Sequence, residues 1–151
     1  MKWAISKNFG GVENLISIPG YVGGAPIQNI GAYGVEIKDI FISCSGYFLN
    51  TLEKKKFKLN DCQFTYRSSI FKKSLKNKFI ITEVVLQLSK TNHKISKSYK
   101  SINDALNKKK IQNPSINDIA RIVSKIRENK LPNPSLICLL YTSPSPRDLR
   151  K

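Results

Sequence analysis

Hydrophobic positions along the middle of the chain predict extended structure. β-Branched and aromatic residues concentrate from Val35 to Leu49 and favour a strand, and the charged segment LEKKKFKL after Asn50-Thr51 favours its hairpin partner. The segment KFIITEVVLQLSK, Lys78 to Lys90, gives the clearest strand pattern. We expect this strand to be largely buried because of its apolar residues Ile81, Val84, Val85, Leu86 and Leu88.

Helical patterns lie nearer the two ends of the chain. Residues from Trp3 to Phe9 are typical of the last turns of a helix that Gly10-Gly11 would end, and Tyr99 to Lys108 predicts a short helix. Ser115 and Asp118 have the spacing of a capping box and open a longer helix. The apolar residues of this helix are Ile116, Ile119, Val123 and Ile126, and its expected end is marked by Pro132 and Pro134.

A glycine-rich stretch, IPGYVGGAPIQNIGAYG from Ile18 to Gly34, carries no charge. Glycine lets the backbone approach a ligand closely, and successive exposed N–H groups hold phosphate or carbonyl oxygens. Neither of the two familiar nucleotide-binding fingerprints is present in the stretch. From the residues alone, backbone binding of a flat neutral ligand and a merely structural loop both remain open.

Composition and charge allow about one domain of 151 residues with a modest core. The net charge of +16 is typical of a basic module that binds nucleic acid or an acidic membrane surface. The lysines, however, are dispersed among Asn and Ile, as an AT-biased coding sequence would produce. A nucleic-acid module would interleave basic residues with exposed aromatics, whereas the aromatics here lie in apolar strands. We therefore expect no nucleic-acid partner.

Three cysteines (Cys44, Cys62 and Cys138) lack the pair spacing of a zinc site, so we expect reduced thiols, no metal and a cytoplasmic location. No apolar run approaches the roughly 20 residues of a membrane span. The first residues, MKWAISKNFGG, contain no hydrophobic segment typical of a secretory signal. We expect no membrane association.

Several motifs together resemble the UDP-N-acetylenolpyruvoylglucosamine reductase family, also called UDP-N-acetylmuramate dehydrogenases. They are GGVENL with IPGYVGGAPIQNIGAYGVEIKD, CQFTYRSSIFK, KFIITEVVLQLSK, the pair Ser98-Tyr99, and IRENKLPNP. In the family's order they cover the chain from Trp3 to Pro134. The resemblance implies an α+β fold, the central part of an FAD-binding domain of the PCMH/vanillyl-alcohol-oxidase type, and a monomeric complete enzyme of peptidoglycan synthesis.

The resemblance also implies domain limits. Residues 1–131 would form a partial FAD-binding domain without its N-terminal part, and residues 132–135 the truncated start of a substrate-binding domain. Residues 136–151 are expected to be a non-native tail, because TSPSPRD looks like translated adapter or vector sequence. The family's proton-donating serine, its C-terminal glutamate and its N-terminal Gly-Ser-Asn loop have no counterpart here. We therefore expect an internal fragment that is inactive alone.

In the family, NADPH reduces FAD, and the flavin then reduces the enolpyruvyl group of UDP-N-acetyl-enolpyruvoylglucosamine. Arg67 matches the catalytic arginine that would stabilise charge on the substrate carboxylate. The matching cofactor-binding residues are Ile18, Pro19, Gly20, Gly23, Gly24, Ile27, Gln28, Asn29, Gly31 and Arg127. The matching substrate-binding residues are Tyr33, Tyr66, Tyr99 and Lys130. Another FAD oxidoreductase of the same fold is the alternative, against which Tyr66-Arg67 and Lys130-Leu131-Pro132 argue.

Arg127 is also singled out by helical periodicity. At about 100° per residue it falls inside the arc set by Ala120 and Val123. A cation on the buried side needs an anionic or electron-rich partner, and the resemblance supplies the flavin pyrimidine edge. The alternative is an arginine that complements the helix C-terminus.

Overall fold

A computed structural model describes residues 1–130 of the chain, so the predictions for Cys138, Pro132, Pro134 and residues 132–151 lie outside the described residues. The helices are α1 (Lys2–Ser6), α2 (Lys100–Lys108) and α3 (Ile116–Lys130). The strands are β1 (Gly31–Ala32), β2 (Val35–Glu36), β3 (Phe41–Phe48), β4 (Lys54–Lys58) and β5 (Phe79–Leu86). This mixture of helices and strands confirms the predicted α+β class.

Strands β4, β3 and β5 form an antiparallel sheet with β3 in the centre. The predicted hairpin is confirmed, since β3 and β4 pair directly and Cys44 lies opposite Phe57. Cys44 also lies opposite Val84 of β5, so the three strands present apolar side chains to one face. That face packs into a cluster whose buried members are Phe41, Cys44, Phe57, Cys62 and Phe71. Cys44 and Cys62 are free thiols.

The predicted strand from Val35 to Leu49 is divided in the structure. β2 ends at Glu36, a short 3-10 turn covers Ile37–Asp39, and β3 begins at Phe41. The Asp39 carboxylate accepts a hydrogen bond from the Glu36 backbone N–H at 2.8 Å, which stabilises the turn. Ile37 is fully buried inside the turn. The prediction of one strand from Val35 to Leu49 was therefore wrong for the turn at Ile37–Asp39 and correct for Phe41–Phe48.

The prediction that Lys78–Lys90 is largely buried is wrong. β5 covers only Phe79–Leu86, and its residues are exposed or half-buried, with Ile80 52% exposed. The physical reason is its position at the edge of the sheet, because within residues 1–130 it pairs with β3 alone. Apolar composition identified a strand but did not distinguish an edge strand from a central one.

The helices build a second core. α3 packs against α1, α2 and the turn at Glu13–Leu15. α1 ends at Ser6, before the predicted end at Phe9, because Lys7 leaves the helix and Asn8 adopts a left-handed conformation. The capping box is confirmed: Ser115 Oγ accepts from the Asp118 N–H, and Asp118 Oδ2 accepts from the Ser115 N–H. The buried residues of this core include Val12, Ile102, Leu106, Ile119 and Val123.

Candidate functional site

The glycine-rich stretch ends in a small β-ribbon formed by β1 and β2. Gly31 pairs with Glu36 and Ala32 with Val35, which leaves Tyr33-Gly34 as a two-residue turn. Both turn residues have positive φ, +51° and +81°, as a type I′ hairpin turn requires. Glycine accepts this conformation at little cost, whereas tyrosine does so rarely. The ribbon therefore places Tyr33 at its tip and the Gly31–Glu36 pair at its base.

Arg67 binds the base of this ribbon. It lies in a turn closed by the Thr65–Ser68 bridge, with φ of +52°. Its guanidinium donates to the carbonyl oxygens of Asn29, at 3.3 Å, and Gly31. Glu36 Oε1 lies 3.9 Å from Arg67 Nη1, and the guanidinium lies 5.1 Å from the centre of the Tyr66 ring. The predicted catalytic residue and the predicted cofactor loop are thus in direct contact.

Ser69 makes a second connection between these two segments. This residue is fully buried, and its Oγ donates to the Ile27 carbonyl at 2.6 Å. The same oxygen accepts from the Phe71 N–H at 3.2 Å, where it begins a 3-10 turn. The Arg67 turn is therefore held to the glycine-rich stretch on both sides, at Ile27 and at Asn29–Gly31.

Asn29 is fully buried and uses its side chain inside the protein. Its Nδ2 donates to Glu36 Oε2 at 3.0 Å and to the Thr65 carbonyl at 3.1 Å, and its Oδ1 accepts from the Lys38 N–H. These bonds join the ribbon, the turn after β2 and the Arg67 turn. The side chain of Asn29 therefore holds these three segments together, and its backbone carbonyl accepts a hydrogen bond from Arg67.

A cavity of ≈ 680 Å³ opens on the other part of the glycine-rich stretch. Its lining includes five of the residues matched to cofactor binding: Ile18, Pro19, Gly20, Gly24 and Gln28. A Cβ placed on Gly20 or Gly24 would meet no atom within 4 Å, so these two glycines leave open space beside the backbone. The apolar side chains of Trp3, Leu86 and Leu88 also line the cavity. The cavity is thus a mostly apolar cleft with bare backbone on one side.

The remaining glycines matched to cofactor binding are packed against protein. A Cβ on Gly23 would come within 3.1 Å of the Ile81 carbonyl oxygen of β5. A Cβ on Gly31 would come within 2.6 Å of Arg67 Nη1. Ile27 is 41% exposed and interacts with Ser69 through its carbonyl. For Gly23 and Gly31 the structure therefore supplies a packing reason for glycine.

The residues matched to substrate binding fall into separate groups. The rings of Tyr33 and Tyr99 meet edge to face with centres 5.2 Å apart, and Tyr66 accompanies Arg67 with 70% of its surface exposed. Lys130 is exposed at the end of α3. Arg127 is half-buried, and its Nε donates to the carbonyl of Ser17, the residue that precedes the glycine-rich stretch. This orientation agrees with the helical periodicity.

Three polar residues of the site were missed from the sequence: Glu36, Ser69 and Asn14. Asn14 is buried, and its Nδ2 donates to the carbonyls of Tyr33, at 3.0 Å, and Ser96, at 3.3 Å. The sequence contains one feature that could have identified Glu36, because this residue is the first charged one after the uncharged run from Asn14 to Val35. Ser69 and Asn14 gave none, because short polar side chains become structural only when the fold buries them.

Within residues 1–130, no group of three or more metal-ligating side chains is assembled. No helix in that part of the chain is long and apolar enough to cross a membrane.

Two curated relatives of this chain share one name. The chain is 51% identical over 132 residues to the UDP-N-acetylenolpyruvoylglucosamine reductase of Flavobacterium johnsoniae, covering 87% of this chain and 39% of the relative. It is 46% identical to that of Amoebophilus asiaticus, covering 89% of this chain and 40% of the relative. The chain thus spans about 40% of the length of these curated relatives. No protein-family model matches it.

A solved structure is similar in fold. The crystal structure of UDP-N-acetylenolpyruvylglucosamine reductase from Thermus caldophilus matches with a TM-score of 0.59 at 21% identity. The match covers 87% of this chain and 40% of that chain. At this identity the structural match supports the fold alone.

Proposed function

We propose, because this chain is a homologue of the UDP-N-acetylenolpyruvoylglucosamine reductases over most of its length, that it forms part of such a reductase. The complete enzyme would reduce UDP-N-acetyl-enolpyruvoylglucosamine to UDP-N-acetylmuramate with NADPH in peptidoglycan synthesis. We place it in the cytoplasm as a monomer without a nucleic-acid partner. The observation that carries the proposal is the direct attachment of Arg67 to the glycine-rich stretch.

FAD is the cofactor we propose, in an FAD-binding domain of the PCMH/vanillyl-alcohol-oxidase type. The residues present fit such a group, because Gly20 and Gly24 expose backbone to an apolar cleft and no charged side chain of the glycine-rich stretch intrudes. Ile18, Pro19 and Gln28 would complete that wall. When bound, FAD would take reducing equivalents from NADPH and pass them to the enolpyruvyl group.

Arg67 would hold the substrate carboxylate. A guanidinium has five N–H donors. Within residues 1–130, Arg67 uses two of them on the carbonyls of Asn29 and Gly31, which leaves three. A carboxylate needs two parallel N–H donors for a bidentate contact. Arg67 therefore retains enough donors to bind a carboxylate while staying anchored to the ribbon. Its fixed positive charge would stabilise the negative charge that develops there during reduction.

The aromatic side chains near this arginine would shape the substrate pocket. Tyr66 adjoins the guanidinium and exposes most of its ring. Tyr33 is presented by the ribbon tip against Tyr99. Lys130, exposed at the end of α3, would supply a cation to a substrate phosphate, and Arg127 would face the flavin pyrimidine edge from the same helix.

The test is a chimaera in which residues 1–130 replace the homologous segment of the Flavobacterium johnsoniae reductase. We expect NADPH-dependent reduction of UDP-N-acetyl-enolpyruvoylglucosamine. Arg67→Ala should lower kcat for substrate reduction by roughly 10²–10³, the scale for losing one donor to a developing oxyanion. Arg67→Lys should recover only part of the loss, because a point charge lacks the planar fork.

Stopped-flow measurement of the two half-reactions separates chemistry from structure. Flavin reduction by NADPH should change little in Arg67→Ala, since no charge develops on the substrate carboxylate in that step. Equal slowing of both half-reactions would mean that Arg67 maintains the fold or the cofactor site, and would contradict its proposed role.

A further inference from the structure

Glu36 takes part in both ion pairs found among residues 1–130. Its carboxylate lies 2.9 Å from Lys38 Nζ and 3.9 Å from Arg67 Nη1. The Glu36 side chain is 20% exposed, less than those of Lys38 (42%) and Arg67 (36%). The carboxylate is thus the more sheltered member of each pair.

The position of Glu36 is fixed from several sides. On the β-ribbon it pairs with Gly31, whose carbonyl accepts a hydrogen bond from Arg67. Its Oε2 accepts from Asn29 Nδ2 at 3.0 Å, and its backbone N–H donates to Asp39. Asn29 is fully buried, and it binds Glu36 through its side chain and Arg67 through its backbone carbonyl. Arg67 also binds the carbonyl of Gly31, the strand partner of Glu36.

The distance from Glu36 to Arg67 has a chemical consequence. At 3.9 Å the carboxylate attracts the guanidinium without taking one of its N–H donors. The two carbonyls fix one part of the guanidinium, and the Glu36 charge restrains it against rotation away from the ribbon. The three unused N–H groups stay free for a ligand carboxylate.

Glu36 remains ionised at neutral pH. Partial burial alone would raise its pKa, but hydrogen bonds from Lys38 and Asn29 and the charges of Lys38 and Arg67 outweigh burial and lower the pKa.

We propose that Glu36 is a positioning residue that orients Arg67 toward the substrate carboxylate, an inference that rests on the proposed function. It acts through Arg67 and touches neither substrate nor cofactor.

The first test uses the 151-residue chain and needs no turnover. The side-chain N–H signals of Arg67, assigned by their loss in Arg67→Lys, are observed by ¹H–¹⁵N NMR. Glu36→Gln keeps an oxygen for Asn29 but removes the charge, so we expect these signals to shift and broaden while backbone signals remote from the ribbon stay in place. Lys38→Gln is the matched control, because it removes the other cation of Glu36, and it should leave the Arg67 signals nearly unchanged.

The second test measures the half-reactions of the chimaera. Glu36→Gln should slow substrate reduction about fivefold, the scale of one partly exposed ion pair, with flavin reduction by NADPH unchanged. Glu36→Asp keeps the charge on a side chain that is one methylene shorter, so its rate of substrate reduction should fall less than that of Glu36→Gln. This second variant keeps the test decisive if Glu36→Gln fails to fold. Lys38→Gln should retain both rates.

Unchanged Arg67 signals in Glu36→Gln would overturn the proposal. So would equal slowing of both half-reactions, or an aspartate variant no better than the glutamine variant. If the unsubstituted chimaera reduced no substrate, the proposed function would fail, and the NMR measurement would still decide whether Glu36 orients Arg67.

Discussion

Gly31→Ala tests whether the contact between Arg67 and the β-ribbon stabilises the protein. An added Cβ would lie 2.6 Å from Arg67 Nη1 and 2.9 Å from both Glu36 Cγ and the Val35 carbonyl oxygen. Ordinary contacts begin near 3.4 Å, so the guanidinium would have to retreat by about 0.8 Å. Such a retreat breaks its hydrogen bond to the Gly31 carbonyl, and the contact with Val35 loosens the pairing of β1 with β2.

The size of the effect follows from three contributions. Overpacking of a close contact costs about 1–3 kcal/mol. Loss of the hydrogen bond from Arg67 to the Gly31 carbonyl would add about 1.5–3 kcal/mol if the charged donor were buried. Because the Arg67 side chain is more than a third exposed, we count less than half of that. Gly31 does not have positive φ, so alanine recovers about 0.4–1 kcal/mol by restricting the unfolded chain. We expect a net loss of about 2–3 kcal/mol in the free energy of unfolding.

Urea denaturation of the 151-residue chain, followed by circular dichroism, measures this loss. Gly24→Ala is the matched control, since a Cβ there meets nothing within 4 Å and the residue likewise lacks positive φ. It should be neutral or slightly stabilising. In an Arg67→Ala background the cost of Gly31→Ala should fall by about 1 kcal/mol or more, because the atom it collides with is gone. An equal cost in both backgrounds, or in both glycine variants, would refute the reasoning.

Further substitutions test the other contacts of the fold by urea denaturation. Ser69→Ala should cost about 1–3 kcal/mol, because the Ile27 carbonyl and the Phe71 N–H lose a buried partner; Ser68→Ala, the matched control, should change little, and an equal loss would contradict the role of Ser69. Ser115→Ala should cost about 1 kcal/mol through loss of the α3 cap. Hydrogen bonds from the Ser115 side chain and backbone lower the pKa of Asp118, so this contribution is present above the ordinary pKa of 3.8 and lost as the pH falls through the lowered value. The stability difference between Ser115→Ala and wild type should therefore shrink in acid, and a difference independent of pH would show that Asp118 has no part in the cap. Gly46→Ala should cost about 3 kcal/mol, because its Cβ would collide with the Ile80 carbonyl of β5; a stable variant would show that the β3–β5 pairing is looser than described.

Local sequence signals were reliable where neighbouring residues decide the structure. The hairpin of β3 and β4, the helix at Lys100–Lys108 and the Ser115 cap depend on residues close in the chain, and all three are present. The predictions of a single strand across Glu36 and Phe41 and of a buried β5 were wrong. They depend on a side-chain cap and on the position of β5 at the edge of the sheet formed by residues 1–130, which periodicity does not encode.

The sequence by itself determined the α+β class, and it singled out the glycine-rich stretch and Arg67 as the candidates to examine, because these follow from residue types at short spacing and from motif order. Only the tertiary structure decided which glycines face open space and which face protein. Gly24 and Gly31 look alike in the sequence, yet one borders a cleft and the other lies against a guanidinium 36 residues away. The roles of Asn29, Glu36 and Ser69 were decided in the same way, because a polar side chain acquires a structural role only when the fold buries it beside a distant partner.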